Sequence, residues 1–254
     1  MKTISFYNRK GGTGKSSLCF MAARYLARAG KRVLAVDLDP QRTITNNFAR
    51  LCGGEFDAMR KRNAFTVLMD RDAAYEARAH VSENLDLLPG SYDLSEIQSN
   101  LPVFAVRDAL EHVLDEYDFC LLDNSPNWTA LIQSALFASG LVVIPALPAI
   151  EVLEQAEWTL IRTTKVSQAK RLIVLNQHNG DRAGERFREM MVHYQPAFGS
   201  HLLDAWIPAS ALVRRYTATG EELNHTARGK VEFAERFDAF MLEGFESPSI
   251  PEAF

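Results

Sequence analysis

The run Asn8-Arg9-Lys10-Gly11-Gly12-Thr13-Gly14-Lys15-Ser16-Ser17 holds the densest chemistry in this sequence. Its glycines let successive backbone N–H groups curl around phosphate oxygens, and a helix starting at Ser16 adds the positive end of its dipole. Lys15 has the reach to grip β- and γ-phosphates, and the Ser16 hydroxyl is placed to ligate Mg²⁺. The run departs from the phosphate-loop consensus G-x-x-x-x-G-K-[ST] in one respect: Arg9 stands where the leading glycine would be, and a second lysine, Lys10, precedes the glycine pair. A tight strand-to-helix turn needs neither the Gly-Lys-Ser ending nor that extra lysine.

Such a loop works only if a strand delivers it and a helix receives it. Thr3 to Tyr7 is an apolar, strand-like run, and Ser16 to Ala29 places Leu18, Met21, Ala22, Tyr25 and Leu26 on one helical face, with Gly30 as the stop. Further strands are expected at Arg32 to Asp37, Leu85 to Pro89, Phe119 to Asp123, Leu141 to Pro145, Arg171 to Asn176 and, more weakly, Leu202 to Ile207. Helices are expected at Val103 to Glu116, Ala130 to Ala138, Ile150 to Lys165, Arg182 to His193, Ala211 to Thr219 and Lys230 to Phe245, with short helices in the less periodic stretch from Phe48 to His80. Continuous apolar strands separated by helices predict an α/β fold: a doubly wound, mostly parallel β-sheet flanked by helices. No repeat or linker divides the chain, so residues 1–246 read as one domain and 247–254 as a loose tail.

Ligands in such sheets bind beyond the carboxyl ends of the strands. Asp37 and Asp39 close the second strand, and Asp123 closes the strand that begins at Phe119. A lone aspartate there is usually a turn former or a helix cap. Three of them beside a phosphate loop point to handling of Mg²⁺ and water, with Asp123 in the position of a Walker B carboxylate.

Composition sets ordinary bounds. With 254 residues and 47% hydrophobic content the chain can bury a full core, and a net charge of −4 argues against a uniformly basic nucleic-acid binder. No apolar run is long enough for a membrane span, and the chain starts in a strand with neither a signal peptide nor a helix-turn-helix ahead of it, so a cytoplasmic protein is expected. Cys19, Cys52 and Cys120 lack metal-ligand spacing and read as reduced thiols.

On these motifs the chain resembles the ParA/MinD-type ATPases, the deviant Walker A family, and small Soj-like ParA partition proteins more than MinD. The matching pieces are Lys10 to Ser16, Val36 to Gln41, Tyr117 to Asp123, Leu85 to Pro89, Val142 to Pro145, and Ile207-Pro208 with Gly220 downstream. The resemblance implies ATP/ADP and Mg²⁺ as ligands. Gly11, Gly12, Thr13, Gly14, Lys15, Ser16 and Ser17 would cradle phosphates, and Ser16 and Asp123 would hold the metal. Asp39 would orient the attacking water with Asp37 beside it, and Lys10 would reach across a homodimer to the partner's ATP. Asn176 either contacts adenine, as this family's residue there does, or simply caps its turn.

The same resemblance implies non-specific DNA binding by the ATP-bound dimer, association with the nucleoid and stimulation by a ParB-like adaptor. Candidate DNA contacts are Arg182, Arg186, Arg188, Arg214, Arg215, Arg228 and Lys230, each otherwise an ordinary solvated arginine or lysine. A membrane-cycling protein of the MinD kind would need a basic amphipathic C-terminal helix. Here Phe233, Phe237, Phe240, Met241 and Phe245 are interleaved with acidic residues, so core packing is expected and stable membrane association is not. A metabolic or cofactor-loading enzyme would need an acceptor pocket or cysteines at a dimer seam. Two segments depart from the family pattern: Asn124-Ser125-Pro126-Asn127-Trp128, where a Pro-Pro pair is usual, and Arg42-Thr43-Ile44, where small residues are usual.

Overall fold

The computed structural model describes residues 1–53, 62–74, 76–97, 101–178, 184–210, 213, 216 and 228–245. Among them, strands β1 (Lys2–Phe6), β2 (Val33–Leu38), β3 (Ala79–Ser82), β4 (Leu85–Leu88), β5 (Phe119–Asn124), β6 (Leu141–Ala146), β7 (Lys170–His178) and β8 (Leu202–Pro208) form one sheet. Its order is β3-β4-β2-β5-β1-β6-β7-β8. All neighbours run parallel except β3 and β4, which pair antiparallel with a register shift between His80 and Ser82. The chain is therefore a doubly wound α/β fold, as its apolar runs predict. The expected tail, 247–254, lies outside the described residues.

The helices are α1 (Lys15–Arg28), α2 (Thr43–Leu51), α3 (Ala64–Met69), α4 (Ala105–Leu110), α5 (Ala130–Phe137), α6 (Ile150–Thr163), α7 (Gly184–Phe198) and α8 (Arg228–Phe245). Alternation along the strands divides the core between the two faces of the sheet. Ile4, Phe6, Val33, Ala35 and Val143 pack on one side with Leu18 and Ala22 of α1 and Phe233 and Phe240 of α8. Leu34, Val36 and Leu122 face the other way, onto α3, α4 and α5. Ile144 and Ile173 do the same toward α6 and α7. The aromatics of α8 are buried, so they form the core-packing face expected of them. No helix among the described residues is long and apolar enough to cross a membrane.

Three elements differ from expectation. β3 was not expected: its first two residues close the stretch Phe48 to His80 expected to hold short helices, and the four become a strand by pairing with β4. The helix expected from Val103 to Glu116 is α-helical only to Leu110 and continues as a 3₁₀ turn over Glu111–Glu116. α7 runs past the expected end at His193 and through Pro196, sustained by the buried, stacked rings of Tyr194 and Phe198, 5.8 Å apart. The helix expected from Ala211 to Thr219 falls outside the described residues except at 213 and 216, both helical. Cys19 and Cys120 are buried, and burial pushes the Cys120 thiol up to about 12.

Candidate functional site

At the carboxyl ends of the parallel strands, the loop between β1 and α1 opens onto a cavity of about 730 Å³. That volume lies within the roughly 300–1,000 Å³ of small-molecule sites. Gly11, Gly12, Gly14, Lys15, Ser16 and Ser17 form one wall, with Asp39, Gln41 and Thr43 on a second and Asn176 and Gln177 on a third. Gly12 and Gly14 have φ of 77° and 97°, the left-handed region where only glycine is comfortable. No side chain caps α1, so its first N–H groups remain available to an anion.

The loop is held from outside by two asparagines. Asn8 is buried; its Nδ2 donates to the Pro145 carbonyl at 2.8 Å and its Oδ1 accepts from Lys10 N at 3.0 Å. Asn176, two residues before the end of β7, donates from Nδ2 to the Thr13 carbonyl at 2.7 Å, while its Oδ1 accepts from Gln177 N at 2.9 Å. A Cβ on Gly14 would overlap that Asn176 amide. Asn176 thus straps the loop to β7. Asn8 carried no signal in the sequence, because its partner lies 137 positions away.

Lys15 is buried, and its Nζ donates to the Lys10 carbonyl at 3.2 Å. Burial lowers its pKa, opposed by the nearby Asp123 and Asp39 carboxylates. Lys10 is not among the cavity-lining residues. Its half-exposed ammonium lies 4.0 Å from the exposed Glu151 carboxylate at the start of α6.

The three aspartates come together but differ in what they touch. Asp37 is fully buried, and its Oδ2 accepts from Thr45 N at 3.0 Å and Thr45 Oγ1 at 2.7 Å while Oδ1 accepts from Asp39 N at 3.1 Å. Thr45 Oγ1 also accepts from Gly90 N at 2.9 Å, and a Cβ on Gly90 would come within 2.9 Å of Asp37 Cγ. Burial, against these hydrogen bonds, pushes the Asp37 carboxyl up to about 6. Asp39 lies at the cavity wall, where its Oδ1 accepts from Gln41 N at 2.9 Å.

Asp123 is fully buried too, but neither of its carboxylate oxygens has a hydrogen-bond partner at bonding distance among the described residues. Burial, reinforced by Asp37, holds its pKa well above the usual carboxylate range; the Ser16 hydroxyl and Lys15 offset part of that cost. A buried carboxylate in this state calls for a cation. No cluster of three or more His, Cys, Asp or Glu side chains suited to a metal occurs among the described residues. The donors fit Mg²⁺ in its usual manner, bound through one carboxylate, a hydroxyl, waters and substrate phosphates rather than a protein cage.

The expected DNA contacts fare differently. Arg188 is exposed on α7, and Arg228 opens α8. Arg182, Arg214 and Arg215 lie outside the described residues, as do the side chains of Arg186, Arg228 and Lys230.

Comparison with known proteins gives a consistent picture. The AAA domain family matches residues 1–174. The sporulation initiation inhibitor protein Soj of Bacillus subtilis is 35% identical over 150 residues, a match covering 57% of this chain and 57% of Soj. The chain therefore spans less than two thirds of that relative. Two solved structures share the fold. One is a plasmid partition protein of Borrelia burgdorferi bound to AMPPNP, with a TM-score of 0.80, 20% identity and coverage of 94% of this chain and 98% of that one. The other is the septum site-determining protein MinD of Pyrococcus horikoshii complexed with Mg-ADP, with a TM-score of 0.74, 20% identity and coverage of 98% of each chain. With its doubly lysine-bearing phosphate loop and its matching fold, the chain belongs to the AAA domain family, in the ParA/MinD-type group of P-loop ATPases.

Proposed function

We propose that this chain is a Mg²⁺-dependent ATPase of the partition type, working as one domain over residues 1–246. In this reading its ATP-bound form pairs with a second copy, holds DNA without sequence preference, and positions a cargo in the cytoplasm over the nucleoid. The observation that carries the ATPase reading is the buried Asp123 carboxylate, without a hydrogen-bond partner at bonding distance among the described residues and close enough to Ser16, Lys15 and Asp39 of the cavity wall to feel their charge and hydroxyl. Ser16 and Asp123 would hold Mg²⁺, which supplies charge neutralisation to phosphate oxygens when bound.

The remaining work belongs to the chain's own residues. Lys15 exchanges its bond to the Lys10 carbonyl for the β- and γ-phosphates, and the open N–H groups of the loop and α1 take the other oxygens. Asp39 orients a water in line with the γ-phosphorus. The water oxygen bonds to that phosphorus as the bond to the β-phosphate oxygen breaks, giving ADP and phosphate. Asn176, on the third wall of the cavity, would contact the adenine base in this reading.

Lys10 carries the dimer reading. Its ammonium is outside its own cavity, paired only loosely with Glu151, and so is available to a triphosphate on a second chain. The γ-phosphate would then hold two copies together, and its hydrolysis would release them along with any surface that only the pair presents. DNA held by such a pair would be bound through phosphates, so binding should weaken steeply with salt. A ParB-like adaptor would set the timing.

Size-exclusion chromatography with ADP and with ATP tests this reading. Asp39→Ala with ATP should run as a trapped dimer, and Lys10→Ala should remain monomeric. Normal dimerisation by Lys10→Ala would remove the trans role. ATP-dependent sedimentation with anionic vesicles but not with DNA would favour a membrane-cycling protein, and turnover that requires a specific metabolite would favour a synthetic enzyme.

A further inference from the structure

The segment that carries Asp39 ends in an unusual residue. Asp39 Oδ1 accepts from Gln41 N at 2.9 Å and the Asp39 carbonyl accepts from Arg42 N at 2.9 Å, so the turn closes on Asp39 through both side chain and main chain. Arg42 then adopts φ 57° and ψ 36° and leads into α2 without a side-chain cap. Side chains with a Cβ avoid this region, and arginine lacks the short polar group that lets asparagine or aspartate enter it. Such backbone persists only where the surroundings over-determine it, and it concentrates at functional sites. Gln177, with φ 55°, is the other non-glycine example among the described residues, and it lines the opposite wall of the same cavity.

Two contacts from the loop after β4 over-determine Arg42 and its neighbours. The first is buried: Gly90 N donates to Thr45 Oγ1, which in turn donates to Asp37. The second lies at the surface. The Arg42 guanidinium sits 5.2 Å above the ring of Tyr92, while its Nε is buried without a hydrogen-bond partner among the described residues. Tyr92 itself begins a 3₁₀ turn capped by Ser91, whose Oγ accepts from Asp93 N at 3.2 Å and donates to Asp93 Oδ2 at 2.8 Å. The ring is thus a firm platform although Tyr92 is 65% exposed. An aromatic so exposed adds little to the core, so its contact acts on the local backbone rather than on the fold.

We propose that Arg42 is a positioning residue for Asp39, and that its clasp on Tyr92 keeps the Asp39–Thr43 turn in the conformation that presents the Asp39 carboxylate to the cavity. The inference rests on the proposed hydrolytic role of Asp39. In that role it makes the loop after β4 an outer brace of the water-handling segment, replacing by a side-chain clasp what a small residue at 42 would achieve by conformational freedom alone.

The test combines single-turnover ATP hydrolysis, ATP affinity and amide hydrogen exchange in wild type, Tyr92→Ala, Tyr92→Phe, Arg42→Ala and the double variant Arg42→Ala/Tyr92→Ala. Tyr92→Ala and Arg42→Ala should each slow hydrolysis about two- to fivefold, the range set by a cation–π contact at an exposed site. ATP affinity and melting temperature should hold, Tyr92→Phe should match wild type, and the double variant should be no slower than the slower single one. In the ligand-free protein, the Gln41 and Arg42 amides should exchange faster in Tyr92→Ala but not in Tyr92→Phe. Equal slowing by Tyr92→Phe and Tyr92→Ala, multiplied losses in the double variant, or unchanged exchange would each overturn the clasp. A wild type that binds ATP without ever hydrolysing it would instead defeat the ATPase reading, and the exchange data would still decide whether the clasp holds the turn.

Discussion

The ends of β2 and β5 lie side by side, with Asp37 and Asp123 in direct register, yet they are built for opposite purposes. Both aspartates are fully buried, and burial raises the pKa of each. At the β2 end every oxygen is used: Thr45 and the Asp39 amide saturate Asp37, and Gly90 completes the junction through Thr45. At the β5 end the carboxylate oxygens of Asp123 have no such partners among the described residues. Residue type, depth and strand position are therefore shared, and the partner set alone separates a structural joint from a site that asks for a cation. Asp37 fixes where α2 and Asp39 go, and in the proposed function Asp123 is the carboxylate left to hold Mg²⁺.

Four substitutions pull the two ends apart. The largest effect should come from Lys15→Ala on the reactive side: turnover falls on the order of a hundredfold or more as a donor aimed at the phosphates is lost. Folding should survive, since burying that ammonium costs stability rather than supplying it. Single-turnover hydrolysis alongside thermal melts would show a split between rate and stability. A parallel loss of both would place Lys15 with the structural joint instead.

The pH dependence of the β2 end comes next. The folded protein holds the Asp37 proton to about 6, against an ordinary value of 3.8. The fold thus binds a proton more readily than the unfolded chain between those values, and stability falls as pH rises through that window. The cost is absent below 3.8 and complete above about 6, where it amounts to roughly 3 kcal/mol. Urea denaturation across pH 4 to 7 should show a steeper fall in wild type than in Asp37→Asn, where only the other raised carboxyl, Asp123, remains to contribute. Parallel curves would mean that Asp37 does not titrate there. Asp37→Asn should still bind Mg-ATP, because the Asp37 oxygens are already taken by Thr45 and the Asp39 amide.

Smaller again is Thr45→Val, which keeps the shape but removes the hydroxyl shared by Asp37 and Gly90. Stability should drop by about 1–3 kcal/mol, the cost of leaving buried polar groups unpaired. ATP affinity should change little, and a calorimetric titration beside a denaturation curve would show whether the two properties separate.

Much of this was legible in the sequence, for a definable reason. The phosphate loop is contiguous, so Gly11 to Ser17 disclose their chemistry by type and order alone, and the buried parallel strands disclose themselves as unbroken apolar runs. What escaped notice depends on distant partners. β3 exists through its pairing with β4, Asn8 matters because Pro145 receives its amide, and Thr45 and Gly90 become a joint only when two strand ends meet. Asp37 and Asp123 illustrate the boundary well. The sequence places both at strand ends beside a phosphate site, and their hydrogen bonds add that the Asp37 oxygens are taken while those of Asp123 have no such partners among the described residues.

The most direct test of the account is calorimetric titration of ATP into wild type and Asp123→Ala, each in Mg²⁺ and in EDTA. Wild type should bind ATP markedly tighter with Mg²⁺ than without it. Asp123→Ala should remain folded and bind with the same affinity in both buffers. If Asp123→Ala retained the full magnesium dependence, or if wild type bound no ATP, the assignment of the β5 end as the metal side of a nucleotide site would be wrong.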